Sequence, residues 1–151
     1  MECDDGLRPA ATEVAMAHVL TGSPFGERFA QERTLDGPHL SFDLATEVDR
    51  LKREAPWRER GHNAITLAKY PDLRFVLMVL KAGAKMTTHE PDERVSVQLL
   101  GGRIRVHAGG RDVELRPGHL LAMDRAQAHE VEALEESAFL LTLSWPTGAR
   151  A

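Results

Sequence analysis

Among the seven histidines and 23 acidic residues, the side-chain types that hold divalent metals or move protons, three come first. They are His89 and Glu93, in TTHEPDERVSVQLLGG (Thr87 to Gly102), and His129, in AHEVEAL. An imidazole can ligate a metal or, near neutral pH, serve as general acid or base, and a carboxylate can also ligate. What they can do depends on where they point. As a strand, AHEVEAL puts His129, Val131 and Ala133 on one face and Glu130 and Glu132 on the other, so His129 is expected to face the apolar interior. Positions 89, 91, 93, 95, 97 and 99 share one parity, and an unbroken strand would turn Glu93 inward with Val95, Val97 and Leu99. Pro91 and the charges around it favour a loop instead, in which Glu93 would be a solvated turn residue and His89 an ordinary loop histidine. The plain alternative for His129 is a core histidine that donates to a backbone carbonyl.

The remaining histidines are assigned no role. His107 lies opposite Ile104 and Val106 in GRIRVHAGG and faces solvent, and His119 follows a turn. His18, His39 and His62 fall in loop or irregular contexts. Met78, Met86 and Met123 are expected to fill core space. Gln98 opposes Val97 and Leu99 in parity and should point outward.

The elements that must position the site read as β. Eight candidate strands follow residue 60: AITLAK, LRFVLMVLK, RVSVQLL, GRIRVHA, RDVELR, HLLAMD, AHEVEAL and SAFLLTLS. Turn residues separate them, among them Gly83, Gly101-Gly102, Gly109-Gly110 and Pro117-Gly118. Short strands at such regular spacing, with no helix between them, imply a sandwich or barrel. Ahead of them, Leu44, Val48, Leu51 and Ala55 recur at helical spacing. Ser41 or Asp43 can cap this helix and Pro56 is expected to stop it, giving one amphipathic helix over about 43–55 that covers an outer sheet face or reaches a second subunit. Residues 1–40 read as a flexible N-terminal arm with a short helix between Thr12 and Gly22, and 41–151 as one domain.

Composition bounds the function. A chain of 151 residues, 42% hydrophobic and 28% charged, fits one soluble domain. The net charge of -4, with Lys and Arg interleaved among acids as in DRLKREAPWRERG, argues against nucleic acid as partner. No apolar run is long enough to cross a membrane, FVLMVL being strand length. The acidic N-terminus does not read as a leader, and the lone Cys3 offers neither a disulfide nor a CxxC pair, so a cytoplasmic location is expected. There is no G-x-S-x-G elbow, no P-loop and no G-x-G-x-x-G opening a helix.

The stretch from Gly83 to Ala133 resembles the two-motif signature of the cupin superfamily. In the first motif, G-x5-H-x-H-x3-E-x6-G, Gly83, His89 and Gly102 fall in place. In the second, G-x5-P-x-G-x2-H-x3-N, Gly118 and His129 hold the register while Asp124, Ala126 and Ala133 take the Pro, Gly and Asn places. The likeness covers roughly residues 60–146 and is similar to small single-domain bacterial cupins. It implies an all-β, cupin-type jelly-roll barrel, often dimeric, here with a short amphipathic helix leading into it. Typical metal-binding cupins hold iron, manganese, nickel, copper or zinc on three His and one Glu. In this register His89 and His129 keep two of those places, Pro91 takes that of the second His and Val95 that of the Glu. A second register reads His89 as the second histidine, with Thr87 in the first place and Glu93 as the glutamate, at the cost of two residues in the spacing to each glycine.

The resemblance therefore implies a small-molecule-binding protein whose barrel carries a depleted divalent-metal site, weakly held on His89 and His129, acting as a homodimer. The alternatives are a metal-dependent enzyme of dioxygenase or isomerase type on a small organic substrate, with Glu93 or substrate atoms completing the metal's sphere, and a non-catalytic sensor or assembly protein without metal.

Overall fold

The computed structural model describes residues 35–88 and 92–146. Nine strands form two antiparallel sheets: β1 (His62–Lys69), β2 (Leu73–Leu80), β3 (Lys85–Thr88), β4 (Arg94–Gly101), β5 (Ile104–Ala108), β6 (Arg111–Leu115), β7 (Leu120–Met123), β8 (His129–Ala133) and β9 (Ser137–Ser144). One sheet runs β1-β2-β9-β4-β7, the other β3-β8-β5-β6. Eight of the nine match the strands expected from alternation. The ninth, β3, carries KMTT, and of its described side chains only Met86 is buried, too weak a pattern to announce a strand.

Alternation builds the core. Val76, Met78 and Leu80 of β2, Val95, Val97 and Leu99 of β4, Ile104 and Val106 of β5, and Val131 and Ala133 of β8 meet between the sheets with Met86, Phe139 and Met123. Arg105 and His107 on the opposite face of β5 are exposed, as is Gln98.

The expected single helix is in fact two. Helix α1 spans Leu44–Leu51, capped by Asp43, whose carboxylate accepts the Thr46 N–H at 3.2 Å. Helix α2 spans Ala55–Arg60 with Pro56 in its first turn, and Gly61 closes it at φ +80°. Pro56 thus starts a helix and stops none. Its fixed φ suits the first turn, and the N–H it lacks would have had no partner there. Ala55 is exposed and leaves the apolar stripe to Trp57. Both helices lie on the outer face of the five-stranded sheet, where Leu51 and Trp57 cover Ile65, Leu67, Leu77, Val79 and Ala138. Asn63 pins them: its amide donates to Leu51 O at 2.9 Å and to Glu54 Oε1 at 3.0 Å.

The short helix expected between Thr12 and Gly22 lies outside the described residues. At the end of the segment read as an arm, Leu35 O accepts from Lys69 N at 2.8 Å and Gly37 O from the Tyr70 hydroxyl at 2.7 Å.

Candidate metal centre

His129 opens β8 and is 4% exposed, on the face with Val131 and Ala133. Its backbone is paired with Thr88, the last residue of β3, and with Ala108 of β5. Nδ1 stands 3.1 Å from the Gln127 carbonyl. A carbonyl only accepts, so Nδ1 carries the proton and Nε2 keeps its lone pair. Burial pushes the imidazole below its ordinary pKa, opposed by the Gln127 bond and by the charge of Glu93. The ring is therefore neutral, with a free nitrogen, inside the sandwich. A ligating histidine needs that state, and the carbonyl behind Nδ1 is the usual device that fixes it.

Glu93 lies in the bend just before β4 and is 6% exposed. It is buried on the parity of Val95 and Val97 and is not a solvated turn residue. Its charge raises the pKa of His129, against the larger effect of burial. Among the described residues no hydrogen bond or ion pair ends on its carboxylate. Val95 and Met123, buried and paired with each other, form apolar walls nearby in the chain.

Two of the three candidates, His129 and Glu93, are thus buried. His89 lies outside the described residues. The places for a first-motif histidine on β3 itself offer no imidazole: Met86 is buried against Val131, and Thr87 is half-buried opposite Glu130. His62, expected in a loop, is the first residue of β1. Burial lowers its pKa, and its Nε2 is shielded from water with no partner.

The donor chemistry fits a divalent cation. Carboxylate oxygen and imidazole nitrogen are both ligand types for such an ion. Two donors leave most of a coordination sphere open, and no group of three or more such ligands occurs among the described residues.

The motif places explain the backbone as well. Gly83 and Gly102 have φ of +88° and +85°, and Ala126, in the second motif's glycine place, has φ +61°, the one non-glycine residue with positive φ among the described residues. Asp124, in the proline place, is a surface residue bonded to Arg94 at 2.9 Å and to Arg125 N at 2.8 Å.

No family profile and no curated protein matches the chain. Solved structures do. A cupin superfamily protein from Desulfitobacterium hafniense superposes with a TM-score of 0.61 at 17% identity, over 76% of this chain and 97% of that one. The chain has the cupin fold. KdgF from Halomonas sp. matches with a TM-score of 0.54 at 25% identity, over 58% of this chain and 83% of its own. Salicylate 1,2-dioxygenase from Pseudaminobacter salicylatoxidans gives 0.65 at 16% identity over 74% of this chain, which spans only 36% of that enzyme. The cupin jelly roll is built here from the five-stranded and four-stranded sheets. No helix of the described residues is long and apolar enough to cross a membrane.

Proposed function

We propose that this chain is a cytoplasmic, homodimeric small-molecule-binding protein of cupin fold, whose barrel holds a divalent metal weakly on His89, Glu93 and His129. One observation supports the reading: Glu93 and His129 are both buried, and the charge of Glu93 is felt at the His129 imidazole. His89 enters the set by its place in the first motif. Three donors of this kind leave coordination positions for water or for a ligand's oxygen atoms. The apolar residues behind them exclude bulk water, and Gln127 holds the imidazole of His129 in its ligating tautomer.

The burial of Glu93 also favours a second reading, a metal-dependent enzyme acting on a small organic substrate, since it supplies the carboxylate that the first motif register lacks. When bound, the metal would polarise the substrate as a Lewis acid or redox centre.

Metal content and metal-dependent thermal shift of the purified chain test both, alongside His89→Ala, Glu93→Gln and His129→Ala. Stabilisation by Mn(II), Fe(II) or Zn(II) that is lost in each variant is expected. A melting temperature indifferent to all divalent ions would refute the metal site and leave the non-catalytic, metal-free reading. A response that survives Glu93→Gln removes Glu93 from the ligand set.

A further inference from the structure

Outside the barrel, between α1 and the β4–β5 and β8–β9 turns, runs a groove of about 440 Å³, within the size range of small-molecule sites. Leu44, Val48, Leu100 and Ala138 give it apolar walls, and Asp49, Lys52 and Glu136 give it charge. The positive groups there are already engaged. Lys52 Nζ is 2.6 Å from Glu136 Oε2 and stands 5.8 Å over the Trp57 ring. At the start of α1 the Asp43 carboxylate accepts the Thr46 N–H, so the positive end of the helix has its anion. The negative side is not balanced. Glu47 pairs with Arg50 at 3.8 Å, whereas Asp49, exposed along the groove, is in no ion pair among the described residues. Asp49 and Glu136 against Lys52 leave the groove one negative charge in excess. Gly101 adds a second observation. Unlike Gly102 beside it, it has no positive φ, and nothing stands within 4 Å of the place its Cβ would take. It is paired with Ala138, so a side chain there would lie on the face of Ala138, in the groove. Neither torsion nor packing asks for a glycine at 101. What the bare position gives is room.

We propose that this groove is a binding site for a small organic ammonium ion, an apolar body that carries one protonated amine. The body lies over Gly101 between the apolar walls, and the ammonium donates to the Asp49 carboxylate. The site is separate from the barrel interior and independent of any metal. Taking the body out of water supplies most of the affinity, and Asp49 supplies the selection for charge. An anion of the same shape meets two carboxylates and a lysine already neutralised by one of them, on a chain of net charge -4. An uncharged analogue fills the same walls but leaves Asp49 to water, so it binds more weakly than the amine.

The test is isothermal titration calorimetry of the full chain near neutral pH with phenethylamine, phenethyl alcohol and hydrocinnamate, which share a ring and a short chain and end in a cation, a neutral group and an anion. The wild type is expected to bind the amine with a Kd below about 1 mM. The alcohol should bind roughly 3- to 10-fold more weakly, and the acid should give no binding heat. Asp49→Asn, at an exposed helix position, should erase most of the difference between amine and alcohol. Gly101→Leu should abolish binding of both by filling the groove; if circular dichroism shows that variant unfolded, Asp49→Asn decides alone. A wild type that gives no heat with the amine overturns the site, and equal affinity for amine and alcohol overturns the ligand class. Amine binding that survives Asp49→Asn and is lost in Glu93→Gln also overturns the groove, since the ammonium is then held by the carboxylate of the barrel.

Discussion

Gly102→Ala is the substitution whose cost the geometry bounds most tightly. At φ +85° Gly102 occupies the left-handed region, and a Cβ built there would stand 2.2 Å from Glu136 O, 2.3 Å from Ser137 Oγ and 2.7 Å from Ser137 Cα. Two of these atoms are backbone. The third is held too: Ser137 Oγ accepts Arg103 N at 3.0 Å and donates to Glu135 O at 2.7 Å. No side chain can swing aside, so the β8–β9 turn itself must move by about an ångström. The torsion alone costs about 1–2 kcal/mol for a residue with a Cβ. Overpacking against a fixed neighbour adds about 1–3 kcal/mol. The sum, about 2–5 kcal/mol, is a large share of a domain's usual stability of roughly 5–15 kcal/mol.

Gly83→Ala separates the two contributions. Its φ is +88°, yet nothing lies within 4 Å of the place its Cβ would take, so only the torsional cost remains. Urea unfolding followed by circular dichroism is expected to show Gly83→Ala losing about 1–2 kcal/mol and Gly102→Ala at least about 1 kcal/mol more. Equal losses would refute the steric account. A loss below about 1 kcal/mol in Gly102→Ala would refute the torsional one as well.

Ala126 carries the same torsion without a glycine, at φ +61°, so Ala126→Gly is expected to stabilise the protein by roughly 0.5 kcal/mol, the relief of strain less glycine's entropy; a lower urea midpoint would contradict this. Burial holds His62 and His129 below the ordinary histidine value of 6.5, so each is neutral in the fold and protonates more readily when unfolded. The metal-free protein should keep full stability above that pH and lose it as pH falls through 6.5 toward the folded values, before the exposed carboxylates of Asp43, Glu114 and Asp124 titrate. An unfolding midpoint that stays flat from pH 7.5 to about 5 would remove this contribution.

Most of the fold was legible because its causes are local. Period-two alternation set the inward faces of β4, β5 and β8, and it placed His129 inward and His107 outward. What failed was non-local. Pro56 follows an amphipathic run and reads as its end, but only the Trp57 site on the sheet shows that a second helix is needed to cover it. β3 is polar except for Met86 and exists because β8 offers a free edge. Glu93 follows Pro91 and Asp92 in a stretch with every mark of a solvated loop, yet it is buried.

The motif positions divide along the same line. Gly83 and Gly102 sit at positive φ, one with open space and one against the backbone of the next turn, and Ala126 tolerates the torsion without being glycine. Those places answer to the backbone path, which any sequence of this fold must follow. The ligand places answer only to chemistry at the mouth, and there the chain has Pro91 and Val95 where a fuller site would have donors. Backbone requirements and ligand requirements are separate constraints, so the turns persist while the donor set thins. Glu93 lies off the glycine-anchored register yet is buried, so under the proposed function it would return a carboxylate to the donor set without disturbing a turn.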